Sequence, residues 1–447
     1  MKKLFGTDGV RGKANIYPMN AETALKLGKA AAAVFMNGKK RHKIIIGKDT
    51  RVSCYMIENA LTSGILSMGV DVLLVGPMPT PAISHLTKSF GADAGIVISA
   101  SHNPAEDNGI KFFDKDGFKL SDETEKKIEE LTFSEIKVEH ITGGLLGRAK
   151  RIDDAQGRYI EFAKSSINNL SLKGLKIVLD CANGAAYKVS PLIFEELGAQ
   201  VITINNNPNG LNINDKCGAL YPEQMKKFVI QYEADIGIAL DGDADRVIMV
   251  DENANNVDGD EIMAICGVYM QKKDMLNQNT IAATIMSNIG LEIAMKEKGI
   301  TITRTLVGDR QVIEEMRKNN YNLGGEQSGH IIFLDYTKTG DGTISALQVL
   351  RIMKETGKKL SELTKCMKKF PQVIINVDVK KKIDFEVMPN VMEKINKAKK
   401  KLKDNGRVIV RYSGTQNIAR IMVEGDNEKE INKYADEIAD EIRKGAC

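Results

Sequence analysis

The 447-residue chain has no tryptophan and only 5% aromatic residues, so aliphatic side chains must fill its interior. That argues against an aromatic-rich sandwich and suits parallel sheets covered by helices. An excess of either charge is missing as well: the net value is +4. A global field that small gives no ground for nucleic-acid or membrane binding, and an anionic substrate would have to meet local cations. The six cysteines, Cys54, Cys181, Cys217, Cys266, Cys366 and Cys447, stand far apart with no CxxC pair. Their spacing argues against a disulfide framework or a zinc cluster and for a reducing compartment. No stretch approaches the roughly 18 consecutive apolar residues of a spanning helix. Met1-Lys2-Lys3-Leu4-Phe5 runs straight into Gly6-Thr7-Asp8-Gly9, which leaves no apolar signal core. The composition predicts a soluble, cytoplasmic protein with neither a nucleic-acid nor a membrane partner.

What the chain does have is rhythm. A single core stops growing at about 250–300 residues, and about 150 residues per domain gives a prior of roughly three domains. Short apolar runs at 43–47, 72–75, 95–99, 175–179, 235–240 and 280–286 read as buried strands. Amphipathic stretches at 22–36, 55–68, 123–131, 191–197 and 290–297 read as the helices between them, the signature of βαβ units. Ala92-Asp93-Ala94-Gly95-Ile96 matches Ala234-Asp235-Ile236-Gly237-Ile238. Gly69-Val70-Asp71-Val72, Gly198-Ala199-Gln200-Val201 and Gly299-Ile300-Thr301-Ile302 each follow a helix-like segment and open a strand. Such repetition predicts an α/β protein of three related modules with mixed, largely parallel sheets. From Phe370 the pattern changes to alternation, a lysine-rich helix, a strand at 408–412 and a last helix from about Asn427, a smaller C-terminal α+β domain. The predicted boundaries are 1–150, 151–255, 256–369 and 370–447. The lysines at 397, 399, 400, 401 and 403 read as a solvated helix face, since the overall charge has no basic bias.

Four loops carry residues suited to chemistry. Ser99-Ala100-Ser101-His102-Asn103-Pro104 follows a buried strand, and parallel sheets place functional groups at such exits. Ser101 there can act as a nucleophile or phosphate carrier, with His102 as its base or as a carrier itself. Asp241-Gly242-Asp243-Ala244-Asp245-Arg246 sets carboxylates at alternating positions in a tight loop, so that they can converge on a hard cation. An EF-hand is excluded because its sixth position needs a glycine and here holds Arg246, and because the flanks read as strands. Gly324-Gly325-Glu326-Gln327-Ser328-Gly329-His330 offers close backbone approach together with sugar-hydroxyl partners in Glu326 and Ser328. Arg411-Tyr412-Ser413-Gly414-Thr415-Gln416-Asn417, with Arg420 nearby, reads as a phosphate cradle.

Taken together, and with the opening Phe5-Gly6-Thr7-Asp8-Gly9-Val10-Arg11-Gly12, these loops resemble the α-D-phosphohexomutase family over essentially the whole chain. Glu326-Gln327-Ser328, Asn212-Ile213-Asn214 with Cys217-Gly218, and Val307-Gly308-Asp309-Arg310 resemble its glucosamine branch. One departure is Gln416, where the family usually has a glutamate. The resemblance implies four domains around a central cleft, carrying in turn a phosphoserine, a metal, a sugar and a phosphate loop. It implies a phosphoserine at Ser101 and one Mg²⁺ held by Ser101, Asp241, Asp243 and Asp245. It also implies a sugar phosphate contacted by Arg246, Glu326, Ser328, Arg411, Ser413, Gly414, Thr415 and Arg420. The implied reaction interconverts glucosamine 6-phosphate and glucosamine 1-phosphate, with a sugar bisphosphate as intermediate or activator, and feeds amino-sugar nucleotide and cell-wall precursor synthesis. Lys111, Arg11 and His330 are the implied acid/base candidates. A catalytic base at Lys111 needs a lowered pKa, which a cationic neighbour such as Arg11 would give. A mannose- or glucose-phosphate mutase, a Mg²⁺-dependent phosphatase and a non-catalytic sensor remain rivals, and monomer and homodimer both remain open.

Overall fold

The computed structural model describes residues 4–6, 8–36, 41–136, 140–412 and 417–446. They fall into two compact units, Met1–Ile285 with Thr303–Lys365, and Met286–Ile302 with Cys366–Cys447.

In the first unit three sheets repeat one plan. The first runs in the order Val10–Lys13, Asp107–Asp114, Ala94–Ile98, Lys43–Lys48, Asp71–Pro77, Ala149–Arg151. Its inner strands are parallel, and Ala94–Ile98 then turns back antiparallel as Asp107–Asp114. In the second sheet Lys176–Asp180 lies parallel to both Gln200–Ile204 and Ile236–Leu240, and Ile236–Leu240 turns back as Val247–Asp251. In the third, Thr280–Thr284 lies parallel to Leu323–Gly325, which turns back as Ile331–Phe333. The parallel strands are covered on both faces, which is why they read as continuous apolar runs: Ile44, Ile45 and Ile46 are all fully buried.

The sequence repeats have physical causes. Asp93 and Asp235 stand just before matching strands, and each carboxylate accepts the backbone N–H that opens the neighbouring parallel strand. These are Lys43 N to Asp93 at 3.0 Å and Lys176 N to Asp235 at 2.8 Å. Gly69, Gly198 and Gly299 have φ of +77°, +93° and +72°. Each ends a helix in the left-handed region before the chain enters a strand, a position that glycine fills without a Cβ clash.

The C-terminal part of the second unit is built differently. Gln372–Asp378, Ile418–Gly425 and Gly406–Tyr412 form an antiparallel sheet with Ile418–Gly425 in the middle. Helices Pro389–Leu402 and Glu428–Ala446 supply Val391, Ile395, Ala398, Ile431, Ala435, Ile438 and Ile442 to its core. Ala419, Ile421 and Val423 alternate toward that core, while Met422 and Glu424 on the other face of the central strand are buried as well. Lys397, Lys399, Lys400, Lys401 and Lys403 are exposed, in keeping with a solvated face. No helix among the described residues is long and apolar enough to cross a membrane.

Candidate active site

Three of the four predicted loops occupy one structural position. Residues 99–106, 241–246 and 326–330 each connect the last parallel strand of a sheet to its antiparallel return. Within the first unit the structure brings them together. Ser101 is 1% exposed and donates its hydroxyl to Asp241 Oδ2 at 2.6 Å. Its φ of +53° lies in the left-handed region, uncommon for a residue with a side chain. Ser101 N donates to Ser99 Oγ at 2.9 Å, so the first serine of the loop braces the second. His102 Nδ1 lies 3.4 Å from Ser101 Oγ. Burial, with the Arg246 charge, holds the His102 pKa down to about 4.

The acidic loop converges as its alternation predicts. Asp241, Asp243 and Asp245 are all buried, and each offers a carboxylate oxygen within 4.8 Å of the others. Asp243 Oδ2 accepts from Thr80 Oγ1 at 2.6 Å and from Lys111 Nζ at 2.8 Å. Asp243 Oδ1 and Asp245 Oδ1 make no hydrogen bond among the described residues. Buried acceptors without donors are costly, and a cation is the partner that removes the cost for both. Burial and the charges of Asp245 and Asp243 push the Asp241 carboxyl well above its usual range. A divalent cation would relieve that repulsion, so the residues present fit a hard, oxygen-liganded metal ion.

Lys111 requires a correction. It sits on the returning strand of the first sheet, opposite Val97 in register, and is 1% exposed. Its ammonium lies 2.8 Å from Asp243, 3.2 Å from Asp8 and 3.5 Å from Asp245. Burial opposes the charge, but Asp243, Asp8 and Asp245 outweigh it and raise the pKa far above the ordinary lysine value. Arg11 does work in the expected direction; it is outmatched, because its own guanidinium is turned toward Asp8. Lys111 is therefore a fixed cation here, and the expectation of a lowered pKa fails.

The same charges close a ring that sequence reading did not find. Lys111 contacts Asp8, Asp8 contacts Lys119, and Lys119 contacts Asp309. Asp309 lies 3.7 Å from His330 Nε2, and His330 Nδ1 lies 3.6 Å from Asp245, which leads back to Lys111. Alternating signs keep the buried carboxylates and lysines of the ring charged. Burial raises the carboxyl of Asp8, yet Lys111, Lys119 and Arg11 hold it well below its usual range. Asp245 is likewise held down against its burial, by Lys111 and His330. For His330, burial works against protonation, while Asp245 and Asp309 raise the pKa on balance. The Gly340 N–H donating to Nε2 at 3.0 Å opposes that rise and favours a ring with its proton on Nδ1. A proton on Nε2 would face the Gly340 hydrogen, so that nitrogen is the acceptor.

Arg246 and the sugar loop lie beside this cluster. Arg246 Nε is 3.8 Å from Asp245 Oδ1 and makes no hydrogen bond among the described residues. Glu326 Oε1 accepts from Gly308 N at 3.2 Å, and Glu326 Oε2 accepts from Ser328 Oγ at 3.3 Å. Arg411 and Arg420 lie in the second unit, directly opposite each other on paired strands. They line a cavity of about 240 Å³ with Met286, Ile374, Asn376, Ile409 and Met422. Burial and the Arg420 charge lower the Arg411 pKa. Ser413, Gly414 and Thr415, and with them Gln416, lie outside the described residues.

Comparison with known proteins covers all four modules. Family profiles described as phosphoglucomutase/phosphomannomutase alpha/beta/alpha domains I, II and III match residues 2–139, 157–256 and 258–370. The C-terminal domain profile of the same family matches 374–441. The phosphoglucosamine mutase of Citrifermentans bemidjiense is 61% identical over 442 residues, covering 98% of this chain and 97% of the relative. That of Myxococcus xanthus is 57% identical over 445 residues, covering 99% and 97%. Among solved structures, a phosphoglucomutase/phosphomannomutase family protein from Burkholderia thailandensis superposes with a TM-score of 0.81 at 21% identity, covering 100% of this chain and 99% of the other.

Proposed function

This chain belongs to the phosphoglucomutase/phosphomannomutase family, and from that premise we propose that it interconverts glucosamine 6-phosphate and glucosamine 1-phosphate through a phosphoserine at Ser101. The observation that carries the route is the buried Ser101 hydroxyl on Asp241, at the head of an acidic cluster that Lys111 neutralises from behind. The subtype rests on the high identity to phosphoglucosamine mutases over nearly the full chain.

In the forward half-reaction the C1 hydroxyl oxygen of the sugar bonds to phosphorus, the bond from phosphorus to Ser101 Oγ breaks, and the hydroxyl proton passes to Oγ. In the unphosphorylated enzyme that proton sits in the hydrogen bond to Asp241 Oδ2. The bisphosphate then reverses its orientation, and Ser101 Oγ bonds to the other phosphorus. The bond from that phosphorus to the C6 oxygen breaks, and the Oγ proton passes to that oxygen, leaving glucosamine 1-phosphate and phosphoserine. Catalysis of this kind is mainly positioning and charge neutralisation. Lys111 serves as a fixed cation near the transferring group, held by Asp8, Asp243 and Asp245. Arg11 is tied to Asp8, and His330 is oriented by Gly340. Asp241, Asp243 and Asp245, joined by phosphorylated Ser101, would hold one Mg²⁺, which neutralises phosphoryl oxygens when bound. By the family likeness, Arg246, Glu326 and Ser328 would contact the sugar, and Arg411, Ser413, Gly414, Thr415 and Arg420 would bind its phosphate. The product is suited to amino-sugar nucleotide and cell-wall precursor synthesis in the cytoplasm.

The test compares turnover of glucosamine 6-phosphate, glucose 6-phosphate and mannose 6-phosphate, with Mg²⁺ and a bisphosphate primer, for wild type and Ser101→Ala. A glucosamine preference that vanishes in Ser101→Ala is the expected result. Preference for another sugar overturns the subtype, and activity surviving in Ser101→Ala overturns the route.

A further inference from the structure

The serine loop is held through its carbonyls, by two side chains that come from different sheet layers. Ser101 O accepts from Arg51 Nη2 at 3.1 Å and from Asn214 Nδ2 at 2.9 Å. Asn103 O accepts from the same two nitrogens, at 2.6 and 3.0 Å. Arg51 is fully buried and paired with Asp49, so it belongs to the interior of the first sheet's own layer. Asn214 comes from the second sheet's layer, at the end of an asparagine-rich loop that braces itself. Asn183 Oδ1 accepts from Asn207 N, and Asn209 Oδ1 accepts from Leu211 N and Asn212 N. Asn214 N donates to Ala182 O at 2.9 Å. The metal loop packs on the same point. A Cβ on Gly242 would stand 2.6 Å from Ser101 O and 2.7 Å from Asn214 Nδ2.

Ser101 and Asn214 both have left-handed backbones, with φ of +53° and +58°. Asparagine tolerates that region, whereas serine is disfavoured there. The donors on the two carbonyls keep the serine from relaxing. We propose that Asn214 is a positioning residue for phosphoryl transfer, its side-chain amide fixing the Ser101 carbonyl and thereby the aim of Ser101 Oγ at Asp241. The proposal rests on the reading of Ser101 as the phosphoryl carrier. A misaimed phosphoserine transfers slowly to the sugar and is open to water, whose oxygen then bonds to phosphorus. The bond to Oγ breaks, Oγ takes the proton, and inorganic phosphate is released.

The test uses the full chain, primed with glucose 1,6-bisphosphate and assayed with glucosamine 6-phosphate and Mg²⁺. Asn214→Asp keeps the shape and the tolerated backbone but turns a carboxylate oxygen toward two carbonyls. Asn214→Gly keeps the backbone and removes the side chain without adding charge. Both should lower kcat by about ten- to a hundredfold. The KM should stay within about twofold, melting should be as in wild type, and phosphate release per turnover should rise. If Ser101→Ala turns over like wild type, the carrier reading itself has failed. If Ser101→Ala is inactive while both Asn214 variants match wild type, or lose kcat only in proportion to the fraction folded, the positioning role alone is overturned.

Discussion

The serine loop and the acidic loop occupy the same turn of the same sheet plan, yet they are held in place by different means. The carbonyls of Gly242, Asp243 and Ala244 accept backbone N–H groups, from Ala185, Thr80 and Gly342 respectively. The carbonyls of Ser101 and Asn103 accept side-chain groups, from Arg51 and Asn214. Backbone donors come with the fold and survive most substitutions, whereas side-chain donors do not. These carbonyls of the acidic loop are thus fixed by topology, and those of Ser101 and Asn103 by particular residues. A metal cradle needs a constant shape, and a carrier needs one atom aimed at a substrate, so the division suits the two tasks.

Removing chemistry from the acidic loop gives the largest expected effect. Asp243→Ala takes away a carboxylate and the partner of both Thr80 and Lys111. Turnover should fall by at least about a hundredfold, with excess Mg²⁺ failing to restore it; recovery at high Mg²⁺ would show that the loop has a spare ligand. Next comes Lys111→Met. As a fixed cation, Lys111 should be needed for transfer and not for sugar binding. Turnover should drop about a hundredfold or more while Ser101 is still phosphorylated by the bisphosphate, as intact mass would report.

A smaller effect is expected where the two loops meet. In Gly242→Ala the new methyl would press on Ser101 O, Asn214 Nδ2 and Ile213 Cδ1. Overpacking of this kind costs about 1–3 kcal/mol, which thermal or urea unfolding would read, and it should slow turnover by displacing the serine loop. The smallest concerns His102. With its pKa held to about 4, below the ordinary value of about 6.5, its ring is neutral at working pH. The contribution to stability is fully present above about pH 6.5 and is lost as pH falls through about 4. Histidine NMR should show no His102 titration between about pH 6 and 8; a midpoint near 6.5 would contradict the reading.

The sheets were legible because their cause is local. Parallel strands buried on both faces give unbroken apolar runs, and Asp93 with Asp235 marks equivalent strand starts through the hydrogen bonds they accept. The acidic loop was legible for the same reason, since alternating carboxylates after a buried strand have few other uses. Val10–Lys13 was not, because Val-Arg-Gly-Lys carries no pattern and becomes a strand only by pairing with Asp107–Asp114. The ring through Asp8, Lys119 and Asp309 was also invisible. Its members are spread over three hundred positions, and only the folded loops make them neighbours. The error on Lys111 has the same source. One cationic neighbour was visible from the family likeness, while the carboxylates that outweigh it come from two separate stretches of chain. Arg51 sits after a buried strand, where position alone could have flagged it.

The most direct measurement is the fate of labelled phosphate on Ser101. Enzyme primed with radiolabelled bisphosphate and freed of excess would be mixed with glucosamine 6-phosphate and Mg²⁺, then quenched within one turnover. Transfer of the label from Ser101 to the sugar bisphosphate, and then to glucosamine 1-phosphate or 6-phosphate, is the predicted result. Product forming while the label stays on the protein, or leaves it only as inorganic phosphate, would contradict a phosphoserine route.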